Sequence, residues 1–337
     1  MSGLKDKFHR TIDYMRISIT DRCNLRCVYC MPSNGIKPIE HKEILHYEEI
    51  VRILRIAVTL GVEKIRITGG EPLVRKDISS LISMIKGIEG ITDISLTTNG
   101  ILLEQYAEAL ADAGLNRINI SLDSLRPDRF REITRGGDID VVLRGIKAAE
   151  KAGLGPVKIN MIPIRGFNSD EITDFAKMTM TSSYQIRFIE FMPFGKHNMW
   201  SPDKFIPAEE IQAAVEGIGR LVPLPLKKSG PARHFQLEGA AGVIGFISPI
   251  SNHFCAECNR LRLTADAKLR PCLFSESEID LKPALRGDAT DEELERLIKL
   301  SIQLKPKGHN LRIQNAELRT LLNAKQDYMR PMSRIGG

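Results

Sequence analysis

An α/β fold built on a parallel sheet is what this sequence predicts, and three observations predict it. Six short runs rich in β-branched residues alternate with stretches of helical periodicity through the first two-thirds of the chain. Glycines follow several of the helical stretches, at Gly61, Gly90, Gly114 and Gly153, where a left-handed cap is expected. The length, 337 residues, suits one large α/β domain plus an appendage. Alternation of this kind gives parallel strands joined by right-handed crossovers.

The strands fall at residues 13–20, 63–68, 93–98, 116–123, 157–163 and 184–192. The first helix is expected at 48–60, where Ile50, Val51, Leu54, Ala57 and Val58 recur at helical spacing. Others are expected at 78–88, 102–113, 139–152 and 170–180. Six such units either close partly into a barrel or open into a doubly wound sheet, and periodicity does not separate the two. Both place ligands beyond the strand C-termini, where the chemically interesting side chains of this chain lie. From about residue 223 the pattern changes. A proline-rich stretch, 221–226, leads to short strand-like runs at 233–237, 243–247 and 260–264 that resemble hairpins. A helix at 291–304 and a polar tail follow.

Composition narrows the class. Hydrophobic residues at 42% and charged residues at 27% exclude a disordered or collagen-like chain. The formal charge of +6 suits an anionic ligand. It is too scattered for nucleic-acid binding, and there is no basic tract or added RNA-binding module. No run approaches the ~18 apolar residues of a membrane span, and the N-terminal residues show no apolar signal region. A soluble, cytoplasmic protein without membrane partners is expected.

Six cysteines form two groups of three: Cys23, Cys27, Cys30 and Cys255, Cys258, Cys272. Disulfides are rare in a large unexported chain, so ligands to a metal or cluster are the better reading. Three thiolates leave a tetrahedral zinc one ligand short. His41 or His46 at the first group, and His253 or Asn259 at the second, are the residues that would complete a zinc site. The other reading is a four-iron cluster, which normally takes four cysteines. With three, one iron stays open to a substrate or cofactor.

Cations decorate the same strands: Arg16, Lys64, Arg66, Lys158 and Arg187, with Arg260 and Arg262 beyond the second cysteine pair. Arg66 lies between Ile65 and Ile67, so its side chain points away from theirs. Several cations converging on one interior would bind a polyanion such as a triphosphate. Charges paired singly on an outer face are the alternative.

Cys-x₃-Cys-x₂-Cys after the first strand resembles the radical S-adenosylmethionine (SAM) superfamily. That resemblance implies a partial (β/α)₆ barrel, residues 7–222, with a smaller C-terminal α+β region, 223–337, covering its open side. It also implies that Cys23, Cys27 and Cys30 hold a [4Fe–4S] cluster whose open iron binds SAM. Tyr29, Gly70, Ser121 and Met192 are then the SAM contacts. The segments TDRCNLRCVYCMP, KIRITGGEPLVR, LTTNG, INISLDSL, IRFIEFMP, FCAECNRLRLTADAKLRPCL and the final Gly-Gly together resemble one family more closely, the GTP 3′,8-cyclases of molybdenum cofactor biosynthesis.

From that family follow further expectations. Cys255, Cys258 and Cys272 would hold a second, substrate-binding [4Fe–4S] cluster. GTP would be bound by Arg16, Arg66, Thr97, Lys158, Arg260, Leu261 and Arg262, with Lys64 and Arg187 as further phosphate contacts. Arg260, Arg262, Gly336 and Gly337 would assist catalysis. SAM would be cleaved to methionine and 5′-deoxyadenosine, and GTP cyclised to (8S)-3′,8-cyclo-7,8-dihydroguanosine 5′-triphosphate. The resemblance also implies a flavodoxin- or ferredoxin-type electron donor and hand-off of product to a cyclic pyranopterin monophosphate synthase. A homodimer is compatible with the sequence.

Overall fold

The computed structural model describes residues 3–194, 199–225, 230–309 and 330–335. Six parallel strands form its centre: β1 (Tyr14–Ser18), β2 (Lys64–Thr68), β3 (Asp93–Thr98), β4 (Arg117–Ser121), β5 (Lys158–Met161) and β6 (Gln185–Ile189). They stand in sequence order, with no reversal that would make a doubly wound sheet. The helices between them are α1 (Tyr47–Thr59), α2 (Ile78–Lys86), α3 (Leu103–Asp112), α4 (Pro127–Thr134), α5 (Ile139–Lys151) and α6 (Ile172–Thr181). Every expected strand and helix of this part is present, each end within three residues of its expected place. Helix α4 was not expected. Its Pro127 start is an ordinary N-terminal signal, but its eight residues bury only Phe130, Ile133 and Thr134.

Period-two alternation sorts each strand into a helix face and an inner face. Met15, Ile17, Ile65, Ile67, Ile94 and Leu96 are fully buried in the main core with the inner sides of the helices, among them Ile53 and Leu54 of α1. Their neighbours Arg16, Arg66 and Ser95 turn the other way, aligned across the sheet as Cα partners. The inner face is therefore polar and cationic by construction.

The C-terminal segment departs from expectation in one respect. Among the described residues its strands do not make a sheet of their own; they extend both edges of the central one, giving 12 strands there. After α7 (Ala208–Glu216), β7 (Leu221–Pro223), β8 (Ala232–Leu237) and β9 (Val243–Ile247) continue beyond β6. Strands β8 and β9 are the expected hairpin, and β9 runs parallel to β6. The chain then crosses to the opposite edge. There β10 (Arg260–Leu263) pairs parallel with β1, and β11 (Lys268–Arg270) and β12 (Ile279–Asp280) follow antiparallel. A run such as Arg260–Leu263 signals a strand by alternation, but nothing local says which edge it will join. Helices α8 (Lys282–Arg286) and α9 (Asp291–Gln303) dock beside α1. Ion pairs Arg52–Asp291 and Arg286–Glu49 border that contact.

Candidate active site

The topology puts the two cysteine triads at opposite ends of β1. Cys23, Cys27 and Cys30 lie in the loop that leaves its C-terminal end. Cys258 precedes β10, whose Arg260 is the partner of Tyr14 at the N-terminal end of β1. Strand β11 runs antiparallel to β10, so Cys272, just past it, returns to that same end. A five-residue strand spans roughly 16 Å. The inner face of the sheet occupies the interval between the triads.

At the first triad the loop is fixed by backbone and by buried carboxylates. Gly70 N–H donates to Thr20 O at 2.7 Å and Glu71 N–H to Arg22 O at 2.8 Å. A Cβ on Gly69 would stand 2.6 Å from the Thr20 carbonyl oxygen, and one on Gly70 would collide with that of Arg22. These glycines are required first by the packing of two backbone segments. Glu71 accepts from Leu73 N–H, Asn99 N–H and Thr98 Oγ1, at 3.0, 2.7 and 2.7 Å. Burial lifts its carboxyl to about 7. Asn99 Nδ2 in turn reaches Cys23 Sγ at 3.8 Å. Tyr29 donates its hydroxyl to Asp123 and packs edge-on against Phe191. Burial lifts the Asp123 carboxyl to about 6. Burial also pushes the Cys30 thiol up to about 12, against a hydrogen bond from the Ser333 backbone. Ser121 and Met192, at the ends of β4 and after β6, are half-buried.

At the second triad the surroundings are cationic. Burial acts to raise the Cys258 thiol, but Arg260 and Lys305 bring it down to about 6. Arg260 donates to Cys258 Sγ at 3.6 Å and lies over the Phe254 ring. The Cys255 loop is hooked by Arg10, which donates to Cys255 O at 2.7 Å and Pro306 O at 2.7 Å. Asn259 Nδ2 is turned to Asp13, away from any ligand role. His46 sits exposed at the N-cap of α1. Among the described residues no three His, Cys, Asp or Glu side chains converge as a single-ion group needs. The donor set at each end, three thiols electrostatically coupled to one another, fits a group with one thiolate per iron.

Between the triads the cations do converge. Burial, then Arg262, Arg66 and Arg260, hold the Arg16 guanidinium well below its usual range. Burial, then Arg187, Arg117 and Arg66, bring Lys158 down to about 6. Arg187 and Arg262 are both brought to about 9, by burial first and by neighbouring arginines second. Arg66 acts on Lys158 although three strand spacings, about 14 Å in a flat sheet, separate their strands. The sheet curls around them. Among the described residues Lys158 has no ion pair or hydrogen bond, and Arg187 has only Asn119 Oδ1 at 3.2 Å. Thr97 Oγ1 and Asn160 Oδ1 are buried without a hydrogen-bond partner. The cations and the Thr97 hydroxyl are costly to bury unless an anion with many acceptors completes them, while Asn160 Oδ1 calls for a donor.

The remaining expected residues stand as follows. Lys64 is paired with Asp13 at 2.6 Å and Glu63 at 2.8 Å. The Leu261 side chain is buried in the core. Gly336 and Gly337 lie outside the described residues, while the preceding turn, Met332–Ile335, rests near β1. Sequence reasoning missed His234, which flanks Gly245 beside Arg187 and whose imidazole burial and Arg187 keep below its usual range. It also missed Lys305. Strand alternation would have found His234; nothing local marks Lys305.

The radical SAM superfamily model matches residues 17–179, and the Molybdenum Cofactor Synthesis C model matches residues 184–311. The GTP 3′,8-cyclase of Thermodesulfovibrio yellowstonii is 54% identical over 336 residues, 99% of this chain and 100% of that protein. That of Alkaliphilus oremlandii is 51% identical over 334 residues, again 99% and 100%. Streptococcus suis SuiB bound to S-adenosylmethionine superposes with a TM-score of 0.61 at 16% identity, covering 90% of this chain and 69% of SuiB. That likeness concerns the fold.

Proposed function

This chain belongs to the GTP 3′,8-cyclase family of radical SAM enzymes, and from that premise we propose how its residues divide the first step of molybdenum cofactor biosynthesis. Its cofactors are SAM and two [4Fe–4S] clusters. Cys23, Cys27 and Cys30 hold the SAM-binding cluster; Cys255, Cys258 and Cys272 hold the auxiliary one. When bound, SAM at the first cluster supplies the 5′-deoxyadenosyl radical that takes the 3′ hydrogen from the ribose of GTP. Everything else is positioning, charge and shielding by the chain.

Tyr29, Gly70, Ser121 and Met192 line the SAM side, at the ends of β4 and β6 and in the loop after β1. The buried acids Glu71 and Asp123 lie at that end, and a cationic sulfonium and ammonium beside them would favour their ionised forms. Arg16, Arg66, Lys158 and Arg262, with Arg187, hold the triphosphate. Thr97 and the Arg260–Leu263 strand complete the pocket. The guanine faces the auxiliary triad at the other end of β1, so the ribose is presented between the two. Near-contact matters because hydrogen abstraction needs the two centres aligned. The carbon radical then closes onto carbon 8 of guanine, and one electron and one proton complete the product. Arg260, Arg262 and the Gly336–Gly337 tail assist those later steps.

Residues 7–222 form the radical SAM core and 223–337 the auxiliary-cluster region. No helix of the described residues is long and apolar enough to cross a membrane. A cytoplasmic setting with a flavodoxin- or ferredoxin-type donor, and product hand-off to a cyclic pyranopterin monophosphate synthase, completes the reading.

The cation set between two cysteine triads carries this assignment of roles. Its test is metal content on anaerobically purified protein, with a GTP titration followed by spectroscopy of the reduced clusters. About eight irons per chain, and a GTP-induced change in one cluster's signal, are expected. About four irons with zinc at the second triad would overturn the auxiliary-cluster role.

A further inference from the structure

Lys305, two residues past α9, is 3% exposed, and its ammonium donates to two backbone carbonyls. The acceptors are Arg260 O at 2.6 Å and Pro271 O at 2.7 Å. Arg260 lies two residues after Cys258, and Pro271 directly precedes Cys272. One side chain therefore ties together the chain segments that carry two of the three auxiliary thiols. Among the described residues no carboxylate pairs with it. The charged and titratable groups around it are the Cys258 and Cys272 thiols, Arg260 and Arg10. A buried ammonium without an anion is costly, and the anions within reach are thiolates.

We propose that Lys305 is a positioning residue of the auxiliary site: it fixes Cys258 and Cys272 relative to each other, and its charge biases the cluster held there toward its reduced state. The proposal rests on the two-cluster reading above. Its mechanical half follows from the paired carbonyls, which belong to residues 11 apart in sequence. Its electrostatic half follows from the sign of the charge. A fixed cation in a low-dielectric setting favours the more negative redox state, and net charge and hydrogen bonding are among the levers that set cluster potentials. At the first triad the comparable ties come from side chains nearer solvent, Arg26 donating to Cys23 O at 2.6 Å and Arg135 to Met31 O at 2.7 Å. The side chains buried beside it, Glu71 and Asp123, are acids.

The test uses full-length, anaerobically reconstituted protein as wild type, Lys305→Met and Lys305→Arg. Iron per chain, thermal stability and the midpoint potential of each cluster by paramagnetic resonance are measured. Lys305→Met is expected to move the auxiliary midpoint to lower potential while the SAM-cluster midpoint stays in place, and Lys305→Arg to restore most of the shift. Loss of the auxiliary irons alone in Lys305→Met, with both clusters kept in Lys305→Arg, equally supports the positioning role. An unchanged auxiliary midpoint in Lys305→Met overturns the proposal, as does an equal shift of both signals. If Lys305→Met does not fold, Lys305→Gln is read by the same criteria, keeping an amide donor without the charge. Wild-type protein with about four irons would overturn the two-cluster reading first, and is checked before any variant.

Discussion

The two cysteine triads present the same donors in different buried surroundings. The difference centres on Cys258, since burial raises Cys255 as it raises the first three thiols. At the C-terminal end of β1, burial raises all three thiols, and Asp123 adds to the effect on Cys27. At the N-terminal end, Arg260 and Lys305 overcome burial and lower Cys258. Three thiolates leave one iron open in either place, so the donor set does not decide what the open position receives. The neighbouring charge does. A carboxylate-flanked end suits a ligand bearing an ammonium and a sulfonium, and a cation-flanked end facing a cationic cavity suits an anionic nucleotide. Two sites of one chemistry are thereby made non-interchangeable.

The sharpest way to break this comparison is to disable each triad separately. Cys27→Ala is expected to abolish both SAM cleavage and cyclisation. Cys272→Ala should leave SAM cleavage partly intact and abolish cyclisation, with iron falling by about half. The readout is 5′-deoxyadenosine against cyclised nucleotide, alongside iron per chain. If Cys272→Ala destroyed the fold, or both variants behaved alike, the division of labour would fail. Gly70→Ala comes next. Its new methyl meets the Arg22 carbonyl, so the first cysteine loop must shift. Iron at the SAM site is expected to fall severalfold while auxiliary-cluster signals persist.

Lys158 tests the cavity between the triads. Its folded value near 6 lies below the usual lysine range, so at pH 7 to 8 the fold holds it largely neutral while the unfolded chain keeps it charged. The unfolded state then binds more protons, and this group's penalty shrinks as pH rises above 7. A triphosphate beside Lys158 restores the ammonium, so GTP binding at pH 7.5 should take up a proton. Calorimetry in buffers of different ionisation enthalpy reads that uptake directly. Lys158→Met should abolish it, weaken GTP roughly 10- to 100-fold as loss of a charge-assisted contact does, and raise the stability of the ligand-free protein. A variant that lost stability with unchanged proton uptake would place Lys158 outside the nucleotide site.

Both triads and the alternation of the central strands were legible because each is a local signal. The first triad sits within eight residues and the second within 18, and a strand such as β2 declares its two faces in five. The convergence of Arg16, Arg66, Lys158 and Arg187 was legible only as a face preference, since sequence order does not measure how far a sheet curls. The partner of β10 was not legible at all. Its pairing with β1 joins residues 246 apart, and that pairing sets the auxiliary triad opposite the SAM triad. The close approach of Gly70 to the Arg22 backbone was not legible either, since it joins two loops that only the fold brings together. Lys305 carries no pattern; its importance lies in two carbonyls that only the folded chain brings together.

The smallest predicted effect probes the negative character of the SAM end. The Asp123 carboxyl stands near 6 because it is buried, and it is held by Tyr29 Oη–H and by Ile162 N–H at 2.8 Å. Tyr29→Phe keeps the ring against Phe191 and removes one donor, leaving a buried carboxylate one hydrogen bond short, a loss of about 1–3 kcal/mol. A carboxyl whose folded value lies above its unfolded one favours the fold fully below about pH 4 and loses that contribution as pH rises through the folded value. Without the tyrosine hydroxyl the folded value rises further. Tyr29→Phe should therefore lose little stability at pH 5.5 and more at pH 8, read as the difference in melting temperature from wild type at each pH. The opposite ordering would mean that the hydroxyl does not stabilise the Asp123 carboxylate, and the charge contrast between the two ends of β1 would then rest on Glu71 alone.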